Sequence, residues 1–214
     1  MSRDKISYAV VRRLPRYLRY LDELCAKGVM RISSKTLASL LGLTASQIRQ
    51  DLNCFGGFGQ QGYGYNVKKL RDEIAGIIGV ENSYTAIIIG AGNIGRALIN
   101  NFSFPKRGFA LLAAFDKNPE LLGTLKGIKI MDISELDGFI ERYKPDVAVL
   151  ALPRAEAHNM AERLANAGVR GLWNFTNIDL QMEGRDVKVE NVHFSDSLLT
   201  LCYRISEEGD QGEQ

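Results

Sequence analysis

Apolar and polar positions in the first third of the chain recur at three- and four-residue spacing, which is the pattern of amphipathic helices. A first helix is predicted to have Pro15 in its first turn and to end at Gly28. A second, short helix ends at Gly42 and buries three leucines, Leu37, Leu40 and Leu41. Its N-terminal cap is one of two serines, Ser33 or Ser34. The pattern therefore predicts two helices that lead into a glycine-containing turn.

A third helix is predicted from about Ala45 to Phe55, with Ile48, Leu52 and Phe55 facing inward. Thr44 and Gln47 have the spacing of a capping box at its start. Its outward side chains can read base edges or bind phosphate: Ser46, Arg49, Gln50 and Asn53. Two helices joined by a tight turn indicate a helix-turn-helix with 45–55 as the recognition helix. An outward Arg-Gln pair is also typical of an ordinary solvated surface.

The segment 56–65 alternates glycine with aromatic residues, and five of its ten positions are glycine. This composition predicts a tight hairpin, like the wing of a winged helix that follows a phosphate backbone. The wing residues expected to contact DNA are Gly59, Gln60, Gln61, Gly62 and Tyr63. The capping residues complete the predicted DNA surface: Ser33, Ser34 and Thr44. Asn66 then caps a fourth amphipathic helix.

Near residue 80 the pattern changes to short β-branched runs that alternate with helices. Ala86–Gly90 predicts a buried parallel strand, and it leads into Gly-Ala-Gly-Asn-Ile-Gly at 90–95. Gly90 permits a tight turn, and Gly92 lets backbone amides approach a pyrophosphate. Gly95 lets the following helix pack closely on the strand. This segment therefore predicts a dinucleotide-binding loop.

A second strand, 109–115, ends at Asp116, 26 residues after Gly90. A carboxylate there can accept hydrogen bonds from ribose hydroxyls and would repel a 2′-phosphate, so NAD(H) is favoured over NADP(H). Lys117 weakens that preference slightly. The predicted cofactor-binding residues of these two segments are Gly90, Ala91, Gly92, Asn93, Ile94, Gly95, Arg96, Asp116 and Lys117.

The alternation of strands and helices continues and predicts a Rossmann-like, doubly wound parallel sheet. The further strands are 126–131, 146–152, 171–175, 187–189 and 191–194. The further helices are 134–143, opened by Ser134, and 155–167. Ligands bind such sheets at the carboxyl ends of the strands, so Pro153, Asn174 and Thr176 are predicted near the nicotinamide. Ordinary loop chemistry explains these three residues equally well.

Charge divides the chain at the same place. Lys and Arg outnumber Asp and Glu by 13 to 6 in residues 1–80, whereas residues 81–214 carry 14 basic and 19 acidic residues. A basic domain is typical of proteins that bind a polyanion such as double-stranded DNA. The predicted organisation is a winged helix-turn-helix domain (1–80), a Rossmann domain (81–195) and a dimerisation helix with a tail (196–214). Residues 79–83 are the predicted hinge.

The C-terminal helix is amphipathic, and its apolar face needs a second surface. A partner subunit could supply that surface, or the helix could fold back on its own sheet. No apolar run approaches the roughly 18 to 20 residues that span a bilayer, and the N-terminal charges precede no signal-like segment, so we expect a cytoplasmic protein. Three widely spaced cysteines fit neither a disulfide framework nor a metal site.

The sequence offers few groups for catalysis. A dehydrogenase needs an acid or base beside the nicotinamide and a substrate domain, whereas the histidines here are His158 and His193 and about 130 residues follow the helical domain. We therefore expect a protein that binds the cofactor without using it in a reaction. The alternatives are a small NAD-dependent oxidoreductase with a helical N-terminus, and a Rossmann-type CoA-binding or other nucleotide-sensing regulator.

Motifs along essentially the whole chain resemble the Rex family of redox-sensing transcriptional repressors. They are RYLRY at 16–20, QIRQDL at 47–52, FGGFG at 55–59, GYGY at 62–65, GAGNIGRAL at 90–98, AFD at 114–116 and NFT at 174–176. The resemblance implies a homodimer in which a helix of about 196–207 packs between the domains of the partner subunit. It also implies repression when NAD⁺ is abundant and release from DNA when NADH binds.

Two departures from the family pattern concern coupling between domains and operator reading. In several members a Tyr and an Asp pair with an Arg of the first helix, and those positions are Asn101, His193 and Arg19 here. The Arg is kept and both partners are changed. We assign these three residues and Phe194 to inter-domain coupling. Gln50 stands where some members have Lys, and the chain is more similar to a clostridial branch.

Overall fold

The computed structural model describes residues 6–56, 59–60 and 63–210. Contacts divide the chain into two compact units, Met1–Asn82 and Ser83–Gln214. The division falls within the predicted hinge, where Gly79 ends a helix in the left-handed conformation and Ser83 has a φ of 50°.

In its described residues, the first unit has four α-helices and a small antiparallel sheet. The helices are α1 (Tyr8–Ala26), α2 (Ser34–Leu41), α3 (Ala45–Asn53) and α4 (Val67–Ile78). The strands are β1 (Arg31–Ile32), β2 (Gly59–Gln60) and β3 (Gly64–Asn66), in the order β1-β3-β2. One core of leucine, isoleucine and tyrosine side chains joins all four helices to the sheet. This is the winged helix-turn-helix arrangement that the pattern predicts.

Three details of the first unit differ from prediction. Ser7 caps α1, so Pro15 lies inside the helix instead of in its first turn. Pro15 cannot donate to the Val11 carbonyl, and Val11 is 42% exposed, so the missing hydrogen bond lies on the solvent side of the helix. Leu40 is exposed, and Ala38 takes its place in the buried stripe of α2. The recognition helix ends at Asn53, two residues early, and Phe55 is half-buried.

The second unit is a seven-stranded sheet with helices. Its strands are β4 (Tyr84–Ile89), β5 (Phe109–Asp116), β6 (Gly123–Leu125), β7 (Ile128–Asp132), β8 (Val147–Leu150), β9 (Gly171–Asn174) and β10 (Lys188–Asn191). Its helices are α5 (Asn93–Asn101), α6 (Leu136–Tyr143), α7 (Arg154–Asn166) and α8 (Phe194–Asp210). The order is β10-β9-β8-β4-β5-β7-β6, and all pairs except β6-β7 are parallel. The order reverses between β4 and β8, which is where such sheets bind ligands.

The sheet departs from prediction at its two edges. The strand predicted at 126–131 is β7, which begins at Ile128; Lys126 and Gly127 adopt positive φ and turn the chain from β6, an antiparallel strand that was not predicted, into β7. Ser134 does not open α6; it donates to Asp132, which caps a short 3-10 turn ahead of the helix. At the other edge β10 replaces the two strands predicted at 187–189 and 191–194.

Helix α8 begins at Phe194, two residues before the predicted domain boundary, and its apolar face is uncovered in the single chain. The exposed fractions of its large apolar residues are 50–66%: Phe194, Leu198, Leu199, Leu201, Tyr203 and Ile205. Phe194 has one aromatic neighbour in its own unit, Phe175, at a centroid distance of 6.0 Å. The helix therefore does not fold back on its own sheet. Among the described residues, no helix combines the length and apolarity needed to cross a membrane.

Truncation after Asn191 tests what α8 does. Because α8 buries little of its surface on its own chain, we expect the truncated protein to keep a folded sheet, followed by the fluorescence of Trp173. The family resemblance implies a dimer, and we expect the truncated protein to be a monomer in light scattering, since the apolar face of α8 is then gone. A truncated protein that remains dimeric would contradict this role.

Candidate functional site

The first candidate site is the exposed surface of α3. Thr44 caps the helix by accepting a hydrogen bond from the Gln47 backbone N–H at 3.1 Å. The predicted outward residues are all exposed: Ser46, Arg49, Gln50 and Asn53. Arg49 donates to the Ser34 hydroxyl at 3.1 Å and so links α3 to the start of α2. The polar side chains of both helices thus share one accessible surface.

A buried carboxylate fixes α3 against α1, and it was not predicted. Asp51 is 0% exposed. Arg13 donates to both of its oxygens, at 2.6 and 2.7 Å, and the Tyr17 hydroxyl donates at 2.5 Å. Gln47 donates at 2.8 Å instead of completing the predicted capping box. Four hydrogen bonds satisfy the charge and fix the rotation of the recognition helix about its axis.

This network shifts the pKa of each ionisable member. Burial by itself would raise the pKa of Asp51, but the hydrogen bonds from Arg13, Tyr17 and Gln47 outweigh it, so the pKa is lowered. The pKa of Arg13 is raised, first by its hydrogen bonds to Asp51. Burial, then the hydrogen bond to Asp51, raises the pKa of Tyr17. The ion pair therefore stays charged at neutral pH.

The wing is built close to the body of the first unit. A side chain on Gly64 would bring its Cβ within 2.5 Å of the Ile32 carbonyl oxygen, and Gly64 has a φ of +68°. Arg31 donates to the Tyr63 carbonyl at 3.2 Å, with its guanidinium 5.8 Å from the centre of that ring. Of the predicted wing contacts, Tyr63 is 69% exposed and 59–60 form β2. Gln61 and Gly62 lie outside the described residues.

The second candidate site is a crevice of about 320 Å³ at the carboxyl ends of β4, β5 and β8. Five of its lining residues were predicted: Gly90, Gly92, Asp116, Lys117 and Pro153. The others were not: Ile89, Phe115, Asn118, Leu121, Ile133, Ala151, Leu152, Glu156 and Met160. Most of these are apolar and form a slot between the loops that follow β5 and β8. A flat aromatic base fits such a slot, as ligand sites are mainly apolar with a few polar groups.

The glycine loop has the geometry that a pyrophosphate site needs. A Cβ on Gly95 would lie within 1.9 Å of the Gly90 carbonyl oxygen, and a Cβ on Gly90 within 2.4 Å of the Ala151 carbonyl oxygen. A Cβ on Gly92 would meet no atom within 4 Å. Gly90 and Gly95 are therefore needed for packing, whereas Gly92 leaves open space over the crevice. Gly92 is the N-cap of α5 and lines the crevice, so the first turn of α5, whose N–H groups have no partner within the helix, begins at this place.

Asp116 is fixed at the end of β5 by two backbone groups. One carboxylate oxygen accepts from the Ala91 N–H at 2.6 Å and the other from the Asn118 N–H at 2.8 Å. These bonds join the glycine loop to the loop after β5. Carboxylate oxygens retain further acceptor capacity, so Asp116 can also accept from the hydroxyls of a ribose in the crevice.

Several predicted cofactor residues do not line the crevice. Asn174 is 1% exposed, and its side-chain oxygen accepts from the Thr176 N–H and hydroxyl at 3.0 and 2.6 Å. Its amide donates to the Ile178 carbonyl and the Asn191 side chain. Asn174 and Thr176 thus stabilise their own loop. The other predicted residues outside the lining are the buried Ala91 and Gly95, the half-buried Ile94 and the exposed Asn93 and Arg96.

The residues predicted to couple the domains lie in both units. Arg19 is exposed on α1, with its guanidinium 5.7 Å from the Tyr20 ring centre. Asn101 is the exposed last residue of α5. His193 lies 2.9 Å from an Asp179 oxygen, directly before Phe194 and α8. Their coupling role stays a prediction.

Residues 5–53 match the family described as "Putative DNA-binding protein N-terminus", and residues 81–178 match the "CoA binding domain" family. A protein of Thermoanaerobacter pseudethanolicus named Redox-sensing transcriptional repressor Rex is 52% identical over 208 residues, 97% of this chain and 92% of that protein. The chain belongs to the Rex family. The Rex-family match explains why a DNA-binding N-terminus and a nucleotide-binding domain occur together.

Solved structures of a Rex-family repressor, RSP, have the same fold. RSP in complex with β-NAD⁺ and operator DNA is 51% identical with a TM-score of 0.87, covering 97% of this chain and 96% of that one. RSP in complex with β-NADH is 48% identical with a TM-score of 0.89, covering 98% of both chains. Membership of a repressor family indicates a regulator.

The Asp51 network predicts how the first unit responds to mutation and pH. The pKa of Asp51 is lower in the folded state than in the unfolded state. Ionised Asp51 therefore contributes fully to the free energy of unfolding above its unfolded pKa, near 4, and this contribution disappears as pH falls through its folded pKa. We expect Asp51→Asn to destabilise the first unit by about 3 kcal/mol at pH 7, in the range for buried ion pairs.

The measurement is the free energy of unfolding by denaturant between pH 7 and pH 2. Asp22→Asn is the control, because Asp22 forms an ion pair with Arg71 in which both groups are half-exposed. The Asp51→Asn protein should lose less stability on acidification than the wild type. An equal loss in both proteins would show that Asp51 does not govern the acid response.

Proposed function

We propose that this Rex-family protein is a transcriptional repressor that binds operator DNA as a homodimer and is released when NADH binds. The main support is that one chain combines a winged-helix surface with a glycine-loop crevice. A relative that is about half identical over nearly its whole length forms complexes with operator DNA and NAD⁺ and with NADH. A DNA-binding regulator of this kind acts in the cytoplasm.

On the DNA side, we assign base reading to the exposed face of α3. Arg49 offers a planar pair of donors suited to guanine, and the amides Gln50 and Asn53 suit adenine. Phosphate contacts then fall to the hydroxyls Ser33, Ser34, Thr44 and Ser46 and to the wing residues 59–63. The Asp51 network holds α3 in a fixed rotation, so these side chains need little rearrangement on binding.

On the cofactor side, we assign the pyrophosphate to the backbone at Gly92 and the start of α5, and the adenosine ribose to Asp116. The apolar slot at Leu121, Ile133 and Met160 suits the adenine base. NADH differs from NAD⁺ by the added hydride at the nicotinamide, so the response to redox state must arise at the other end of the ligand, beyond Pro153. Coupling of about 1 to 3 kcal/mol would change DNA affinity roughly 5- to 150-fold.

A second candidate ligand is CoA, because residues 81–178 match the CoA binding domain family. CoA carries a phosphate on its adenosine ribose, and the Asp116 carboxylate would repel a phosphate placed there. Competition of CoA against NADH, followed by nicotinamide fluorescence, distinguishes the two ligands. Displacement of NADH by equimolar CoA would favour a CoA-responsive regulator.

The proposal is tested by a gel-shift titration with the operator duplex that RSP binds. We expect tight binding in NAD⁺, release on adding NADH, and little effect of NADPH at the same concentration. A complex that is equally stable in NADH and NAD⁺ would rule out release by the reduced cofactor. Hydride transfer to candidate substrates in a steady-state assay would instead support the oxidoreductase alternative.

Arg49→Ala tests the recognition surface. We expect operator binding to weaken by about 1 to 3 kcal/mol, because a base-reading donor pair is lost, while NADH affinity stays near that of the wild type. The matched control is Arg142→Ala, which removes the same charge from the exposed surface of α6. An operator affinity equal to that of the control would remove Arg49 from the interface.

Gly92→Val tests the cofactor site. Gly92 has ordinary backbone angles and open space around its Cβ position, so the variant should fold while its side chain blocks the pyrophosphate. We expect loss of NADH binding and a repressor that stays on DNA when NADH is added. Gly138→Val, at an equally open glycine of α6, is the control. Normal release of Gly92→Val by NADH would place the effector site elsewhere.

A further inference from the structure

An ion pair spans the crevice between the loop after β5 and the first turn of α7. Lys117 follows β5, and its ammonium contacts the carboxylate of Glu156 in the first turn of α7. In the sheet, β8 and β5 lie on opposite sides of β4. The ion pair therefore crosses the carboxyl end of β4. Both residues line the crevice, next to Asp116.

The carboxylate and the ammonium at this end of the crevice are held by different partners. Asp116 is held by two backbone N–H groups, so its position is fixed whatever Lys117 does. A free lysine directly after that carboxylate would attract a 2′-phosphate and would offset the repulsion from Asp116. Glu156 removes this possibility, because it holds the ammonium and cancels its charge.

We propose that Glu156 determines cofactor specificity by holding Lys117 away from the 2′ position of the adenosine ribose. The site thereby keeps the net negative charge that rejects a 2′-phosphorylated dinucleotide. The inference rests on the proposed function, because it assumes that NADH binds in this crevice. It assigns to Glu156 the role of a positioning residue that acts through Lys117.

The test is the ratio of NADPH to NADH dissociation constants, measured by nicotinamide fluorescence on the full chain. In Glu156→Gln the ammonium is released, and the ratio should fall by roughly 3- to 10-fold; Lys117 is 64% exposed, so solvent limits the gain. In Lys117→Met the ratio should not fall. The double variant Lys117→Met with Glu156→Gln should match Lys117→Met, because no ammonium remains to be released.

Asp137→Asn is the matched control. Asp137 of α6 forms an ion pair with Arg163 of α7, the helix that also carries Glu156, and Asp137 is absent from the crevice lining. Its ratio should equal that of the wild type. An unchanged ratio in Glu156→Gln overturns the inference. An equal fall in the Lys117→Met background also overturns it, because Glu156 would then repel the phosphate directly.

Failure of this inference is distinguishable from failure of the proposed function. If the wild-type chain binds NADH and prefers it to NADPH, the proposed cofactor is correct whatever Glu156→Gln does. If the wild-type chain does not bind NADH, the proposed function fails before any variant is compared.

Discussion

The dinucleotide crevice depends on one contact that only glycine permits, the approach of α5 to the end of β4. At Gly95 a Cβ would lie 1.9 Å from the Gly90 carbonyl oxygen, so any larger residue would push the helix off the strand. Gly90 in turn packs against the loop after β8 with a positive φ. These two contacts bring the start of α5, the end of β5 and the loop after β8 around one space. The polar groups of the site follow from that placement.

The first unit has an equivalent constraint in the charge of Asp51. A fully buried carboxylate is costly unless donors surround it, and Arg13, Tyr17 and Gln47 provide them from α1 and α3. The network fixes the recognition helix more narrowly than apolar packing alone would. In both units, therefore, a buried contact that does not touch the ligand determines which groups face the ligand.

The sequence predicted the elements well where one face of each element is buried, because burial imposes the helical or strand spacing. It missed Asp51, since a polar residue beside Gln50 looks solvated and its partner Arg13 is 38 residues away. The apolar slot was missed because Leu121, Ile133 and Met160 come from three separate segments. Asn174 and Thr176 were predicted near the nicotinamide; they bond each other and are absent from the crevice lining, so their part in cofactor binding stays a prediction. The hairpin of β6 and β7 depends on positive φ at Lys126, which composition does not reveal.

In the proposed function, NADH and operator DNA compete through the arrangement of one dimer. Linkage requires DNA to weaken NADH binding by the same factor by which NADH weakens DNA binding. The most direct measurement is the NADH dissociation constant, determined by nicotinamide fluorescence with and without a saturating operator duplex. We predict a weakening of about 5- to 150-fold that equals the effect of NADH in the gel shift. An NADH affinity that is the same with and without DNA would contradict it.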